Sequence, residues 1–227
     1  MMIRHTLKNI PFEITPEESA EHLHVLEDDY EEFLDVYNEI VPLLSPAMYF
    51  GEEEIIANDG RKVVIGDQTF ESRILAVNIK DVKKVYPYVA TSGRKAYDRA
   101  NQYDDSLYSF WAHGICELAL KKAMSAGFEE VKARLGVSAL NSMNPGSLSD
   151  FPISSQRPLF DLLKNVEEEC GVTLTDTFLM IPVKSGSGIW FESDKHYANC
   201  MMCPRVGCPH RRADYREDMF EKEYAEE

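Results

Sequence analysis

Three cysteines fall within nine residues near the end of this 227-residue chain, in the run Cys200-Met201-Met202-Cys203-Pro204-Arg205-Val206-Gly207-Cys208-Pro209. The C-x2-C-x4-C spacing brings three soft thiolates close together, and Gly207 lets the backbone turn back towards a common centre. Such ligands suit an iron–sulfur cluster or zinc. The apolar neighbours Met201, Met202 and Val206, and Cys-Pro at the last ligand, favour iron–sulfur, with zinc as the alternative. Cys200, Cys203 and Cys208 are therefore the candidate metal ligands. A fourth ligand is missing from the run. Cys116 and Cys170 are the thiolate candidates, His196 and His210 are ones that zinc accepts more readily, and an external ligand is a further choice. The plain alternative is three unligated thiols beside a tail.

Other chemistry is sparse. There is no phosphate loop, no G-x-S-x-G and no H-E-x-x-H. His113 lies on a helix and reads as a packed or surface histidine, and Trp111 as core. The formal net charge of −15 argues against nucleic acid or an anionic membrane surface as the main partner. No apolar run approaches the roughly 20 residues of a membrane helix. Residues 1–9 lack the apolar stretch of a secretory signal, so a cytoplasmic protein is expected. In that setting, crowded cysteines point to metal rather than disulfide.

The elements that would carry these residues follow from capping and periodicity. Thr15-Pro16-Glu17-Glu18 is a capping box opening a short helix to about Val25. A second helix from about Asp28 places Tyr30, Phe33, Leu34, Tyr37, Ile40 and Val41 inward. Ala47–Phe50, Glu54–Ala57 and Lys62–Ile65 read as strands, the last two joined through Asn58-Asp59-Gly60. Arg73–Val77 and Val85–Ala90 also have strand-like composition, and Arg94–Ala100 reads as a polar helix. Asp104 or Asp105 caps a longer helix with Leu107, Phe110, Trp111, Ile115, Leu118 and Ala119 inward. Gly127 is expected to stop it, with a short helix over Phe128–Leu135. Hairpins and helices without regular βαβ alternation predict an α+β fold with a mixed, largely antiparallel sheet. One domain is expected over 1–193, with the cysteine run and an acidic tail over 194–227. The end, Asp214–Glu227, has seven carboxylates against two basic residues and predicts a solvated surface segment that adds little stability.

The most informative stretch runs from Ser138 to Ser193. A turn-rich run through Pro152 leads to an amphipathic helix with Pro158 in its first turn and Leu159, Leu162, Leu163 and Val166 at helical spacing. Gly171 is its expected stop. Short apolar runs, an expected turn at Ser185-Gly186-Ser187-Gly188 and a strand at Ile189–Phe191 follow. This order, carried by Asn144-Pro145-Gly146, Leu159-Phe160-Asp161-Leu162-Leu163, Gly171-Val172-Thr173-Leu174-Thr175 and Ser185-Gly186-Ser187-Gly188, resembles the reactivation (activation) domain of cobalamin-dependent methionine synthase. The likeness covers about a quarter of the chain.

The resemblance implies a stand-alone, single activation-domain-like module that docks on a corrinoid protein or cobalamin-dependent methyltransferase and supports its reductive reactivation. The cobalamin would sit on that partner. In the family, reactivation couples cobalt reduction to methyl transfer from S-adenosylmethionine, whose binding segment runs Arg-Pro-x-Pro-Gly-Tyr. The matching positions here are Ser142 to Ser147, so the candidate cofactor-binding residues are Ser142, Asn144, Gly146 and Ser147. The family's arginine and tyrosine are replaced by Ser142 and Ser147, which removes a planar cation and an aromatic surface. Glu117 and Lys184 are further candidates to face such a cleft. The resembled domain has no cysteine cluster in its matching region. A thiolate-held cluster here would offer a low-potential electron for the oxidised cobalt. The rival readings are a docking module with structural zinc and an S-adenosylmethionine-dependent methyltransferase component.

Overall fold

The computed structural model describes residues 3–136, 139–193, 195–208 and 211–224. The chain opens with strand β1 (Ile3–Leu7) and helices α1 (Pro16–His22) and α2 (Tyr30–Ile40). The capping box forms as read: the Thr15 hydroxyl accepts from Glu18 N at 3.2 Å, and the Glu18 carboxylate accepts from Thr15 N at 2.9 Å. Strands β2 (Ala47–Asn58), β3 (Lys62–Ile65) and β4 (Gln68–Glu71), helix α3 (Arg73–Asn78) and strand β5 (Lys84–Thr91) come next. Helices α4 (Arg94–Ala100) and α5 (Ser106–Leu135) lead into strand β6 (Leu140–Met143). The rest comprises α6 (Gln156–Leu163), α7 (Val166–Cys170), the two-residue strands β7 (Thr173–Leu174) and β8 (Met180–Ile181), and β9 (Ser185–Glu192).

The main sheet is antiparallel in the order β4-β3-β2-β5-β9-β6, with β1 also paired to β2. Its α+β character is as expected. Side chains alternate between two layers, as the pleat requires. Tyr49, Val85, Val89, Ile189 and Phe191 face a core shared with α3, α6 and α7. Met48, Phe50, Tyr86, Tyr88, Ala90 and Trp190 face α5. A third cluster joins α1, α2 and α4 to the first half of α5, with Phe33 edge-on to Trp111 at 5.8 Å. Among the described residues, no helix is long and apolar enough to cross a membrane.

Several expectations are corrected by packing. Gly127 does not end its helix, because α5 runs on to Leu135. A Cβ at Gly127 would meet Met48 side-chain atoms at 2.5 Å, so the glycine lets α5 lie close on β2. Leu107 and Phe110 are exposed rather than inward. Arg73–Asn78 is a helix, since the Ser72 hydroxyl caps Leu75 N at 3.0 Å and the Asp150 carboxylate accepts from Ile74 N at 2.9 Å. Ala47–Phe50 and Glu54–Ala57 are one strand. The central helix breaks at Lys164 and Asn165, which have φ of 57° and 49°. Leu162 and Leu163 beside the break are nonetheless buried, as is Val166. The end of the chain is not merely solvated. Met219 and Tyr224 are buried in the main core, Tyr224 donates to Asn78 Oδ1 at 2.9 Å, and its carbonyl accepts from Arg73 Nε at 2.9 Å.

Candidate functional site

β6 is an edge strand, and at its end the chain turns through Asn144–Ser147. Ser147 N donates to Asn144 O at 3.1 Å, and Gly146 N donates to Phe151 O at 2.8 Å. Gly146 has φ of 84°, where other residues are strained. Behind this turn lies a polar hub on the α5 face of the sheet. The buried Tyr88 hydroxyl on β5 lies 3.1 Å from Ser142 Oγ and accepts from Asn144 Nδ2 at 2.7 Å. That amide also donates to Ser187 O at 2.8 Å, and Asn199 Nδ2 donates to Asn144 Oδ1 at 3.1 Å.

β9 lies between β5 and β6, so the two partners must meet across it. Gly188, paired with Tyr88, makes this meeting sterically feasible. A Cβ there would lie 2.5 Å from Asn144 Nδ2 and 2.8 Å from the Tyr88 oxygen. The Tyr88 phenol is pushed above its ordinary pKa by burial, against the opposing effect of the Ser142 and Asn144 hydrogen bonds and of Arg212. It is a neutral hydrogen-bonding group at physiological pH.

Above the hub, a cleft of about 330 Å³ opens between the sheet, α5 and the chain beyond β9. Met124 and Phe128 of α5, with Leu140 and Trp190, form its apolar wall, and Ser142, His196 and Arg212 are among its polar lining. Trp190 stacks on Tyr88 at 3.9 Å, and Phe128 meets Trp190 edge-on at 5.7 Å. The segment after β9 closes this side: Ala198 bridges Ser142, Asn141 Nδ2 donates to Lys195 O at 2.6 Å, and Tyr197 N donates to Asn141 Oδ1 at 3.1 Å.

The cysteine loop follows directly. A single 3-10 turn spans Asn199–Met202, and Cys203 N donates to Cys200 O at 3.3 Å. The loop then folds around Arg211. Its guanidinium donates to the carbonyls of Cys200 at 3.0 Å, Cys203 at 3.1 Å and Ala213 at 3.2 Å, and also to that of Arg205. The thiol of Cys200 accepts from Arg212 N at 3.4 Å. Partial burial raises the Cys200 pKa, but the hydrogen bonds and charge of Arg212, helped by the Ala213 N–H, outweigh it and leave the thiol below its ordinary value.

Two comparisons find nothing: no family model matches the chain, and no curated protein matches it. Among solved structures, the chain is similar to the crystal structure of the MetH reactivation domain bound to AdoHcy. The TM-score is 0.58 at 14% identity, over 86% of this chain and 81% of the other. This chain has a reactivation-domain fold. The expectation drawn from Asn144-Pro145-Gly146 and the residues after it extends, as fold, to nearly the whole chain.

Within the reactivation-domain fold, the four residues named from the sequence divide. Ser142 and Asn144 join the hub, and Ser142 lines the cleft, whereas Gly146 and Ser147 are exposed on the turn. Glu117 and Lys184 pair with each other at 2.9 Å and do not line the cleft. Tyr88, Asn199 and Arg212 were missed, being brought in from distant parts of the chain. The signal for Tyr88 was Gly188, read as a turn residue but lying mid-strand. The metal expectation fares differently. Among the described residues, no group of three or more His, Cys, Asp or Glu side chains could hold a metal ion. The thiols of Cys200, Cys203 and Cys208 are free and half-buried, and the loop is closed by a guanidinium instead. The three thiols are not gathered into a metal site here, so a shared cluster would require them to draw together. Cys116 is buried in α5, Cys170 donates to Val166 O at 3.3 Å, and His196 is exposed at the cleft. His210 lies outside the described residues.

Proposed function

We propose that this chain is an accessory module that docks on a corrinoid protein and supports the return of its cobalt to the active state. The observation that carries this reading is the reactivation-domain fold over 86% of the chain. The cobalamin belongs to the partner, and the module works in the cytoplasm. We further propose that the cleft above Ser142 and Asn144 takes an adenosyl ligand related to the AdoHcy held by the MetH domain. The hydrogen-bonded hub supplies a fixed polar floor there, and Trp190 and Phe128 an apolar wall.

The test is direct. The protein is mixed anaerobically with a corrinoid methyltransferase inactivated as cobalt(II), a low-potential reductant and S-adenosylmethionine, and the cobalt spectrum is followed. Return of the methylated form only when this chain is present supports the reading. A rate unchanged by its presence, with no complex on a sizing column, overturns it.

Iron–sulfur chemistry at Cys200, Cys203 and Cys208 is the finer form of this proposal. Its support is three unpaired thiols on one loop. Iron bound after strictly anaerobic preparation, with broad absorption near ~400 nm that reductant bleaches, would establish it. Stoichiometric zinc without iron would leave a docking module with a structural metal. No metal at all would leave the loop organised by the Arg211 clamp together with its backbone bonds, such as Arg216 N to Met201 O at 2.7 Å.

A further inference from the structure

We propose that the cysteine loop completes the cleft as a binding site for a small ligand bearing both a flat ring and a carboxylate, with Arg212 as the carboxylate's partner. This rests on the adenosyl-ligand reading above and adds the residue that would select for the anion.

Two adjacent arginines stand in different circumstances. Arg211 is fully engaged: its guanidinium holds four backbone carbonyls of the loop. That clamp fixes the backbone at this point, and the neighbouring Arg212 N–H is anchored on Cys200 Sγ at 3.4 Å. The next side chain lines the cleft, and its charge is felt at the Tyr88 hydroxyl on the cleft's floor. The Arg212 guanidinium meets the Cys200 thiol and, among the described residues, has no carboxylate within ion-pair distance, whereas Arg216 pairs with Glu223 at 2.8 Å. In a chain of net charge −15, with 39 acidic residues against 24 basic ones, a cleft-lining arginine left without a carboxylate stands out. A guanidinium offers a planar pair of donors matched to a carboxylate. The apolar wall of Met124, Phe128, Leu140 and Trp190 in the same cleft suits a ring rather than a second charge. One ligand meets both demands: an aromatic body against α5 and β9, and an acidic tail reaching towards the cysteine loop.

Calorimetry on the full chain tests this with two probes, S-adenosylhomocysteine and 5′-methylthioadenosine. They share the adenosyl thioether, and only the first carries a carboxylate. The wild type is expected to prefer S-adenosylhomocysteine. Arg212→Ala should weaken that probe on the order of 10- to 100-fold, leave methylthioadenosine within about twofold, and be partly rescued by Arg212→Lys. Arg211→Ala, which frees the loop, should weaken the same probe and raise amide exchange across the loop. Equal affinity of the wild type for both probes, equal losses of both in Arg212→Ala, or no binding of either would overturn the proposal. Binding that follows the expected pattern in a protein that fails to act on a corrinoid partner would overturn the proposed function and leave this site standing.

Discussion

The cysteines illustrate how far local environment separates residues of one type. Cys116 and Cys170 are held in apolar surroundings, and burial pushes their thiols up to about 11 and about 12. Cys200 is shifted the other way once the Arg212 contacts outweigh its partial burial. The thiolate is the reactive form, so iodoacetamide near neutral pH should label Cys200 well before Cys116 or Cys170. Peptide mass spectrometry over time checks the order, and labelling of Cys116 first would contradict the described packing. Gly188 makes a second case. Its missing Cβ leaves room for Asn144, Met143 O and the Tyr88 hydroxyl, one of which is backbone. Gly188→Ala should therefore destabilise by roughly 1–3 kcal/mol and disturb the hub, read by chemical denaturation and by Trp190 fluorescence. An unchanged midpoint would mean that the hub is looser than described.

At the scale of elements, the break in the central helix is instructive. Leu159, Leu162, Leu163 and Val166 keep helical spacing through it, so one apolar face spans α6 and α7. That face is buried against the sheet, and the Leu163 carbonyl accepts from the Tyr49 hydroxyl at 3.1 Å and from Arg4 Nε at 2.5 Å. Leu162→Ala should cost about 2–5 kcal/mol in denaturant titrations. The last segment behaves as part of this layer. Deleting residues 220–227 removes the buried Tyr224 and its bonds to Asn78 and Arg73, and should lower the melting temperature by roughly 5 °C or more. A melting temperature within a degree of the full chain would restore the view of this segment as a solvated tail.

Across the whole molecule, the sheet separates two kinds of work. One face is a stabilising core with α3, α6 and α7, and the other carries α5, the hub and the cleft. Burial of ionisable groups on both faces has a collective consequence. Cys116, Cys170, Tyr86 and Tyr224 all have folded pKa values raised above their ordinary 9 or 10, to between about 11 and about 12, with burial as the first cause. For groups raised in this way, their contribution is fully present below the unfolded value and is lost as pH rises through the folded one. Stability should hold up to about pH 9 and fall between there and about pH 12, measured as the denaturation midpoint against pH. A midpoint that rises over this range would contradict the sign.

Features that depend on short-range chemistry are legible in the amino-acid order. Capping at Thr15 and at Asp104 or Asp105 (the structure uses Asp105), the hairpin through Asn58-Asp59-Gly60, the left-handed stop at Gly171 and the α+β class all follow from residues a few positions apart. The same holds for Asn144-Pro145-Gly146, whose turn pointed to the fold that the solved MetH domain shares. Which residues meet is set by the folded chain. Tyr88, Ser142 and Gly188 come from three strands, Asn144 from the turn after β6 and Asn199 from the segment after β9, and their contact depends on one missing Cβ. The thiols of the cysteine run were legible as a group, but their surroundings were not. Spacing limits how far apart thiols can lie, whereas the carbonyl cage around Arg211 depends on the path of the chain between them. Glycine shows the limit most plainly: Gly127 and Gly188 look like breaks in one dimension, and in three they are places where a missing Cβ leaves room for Met48 and for Asn144.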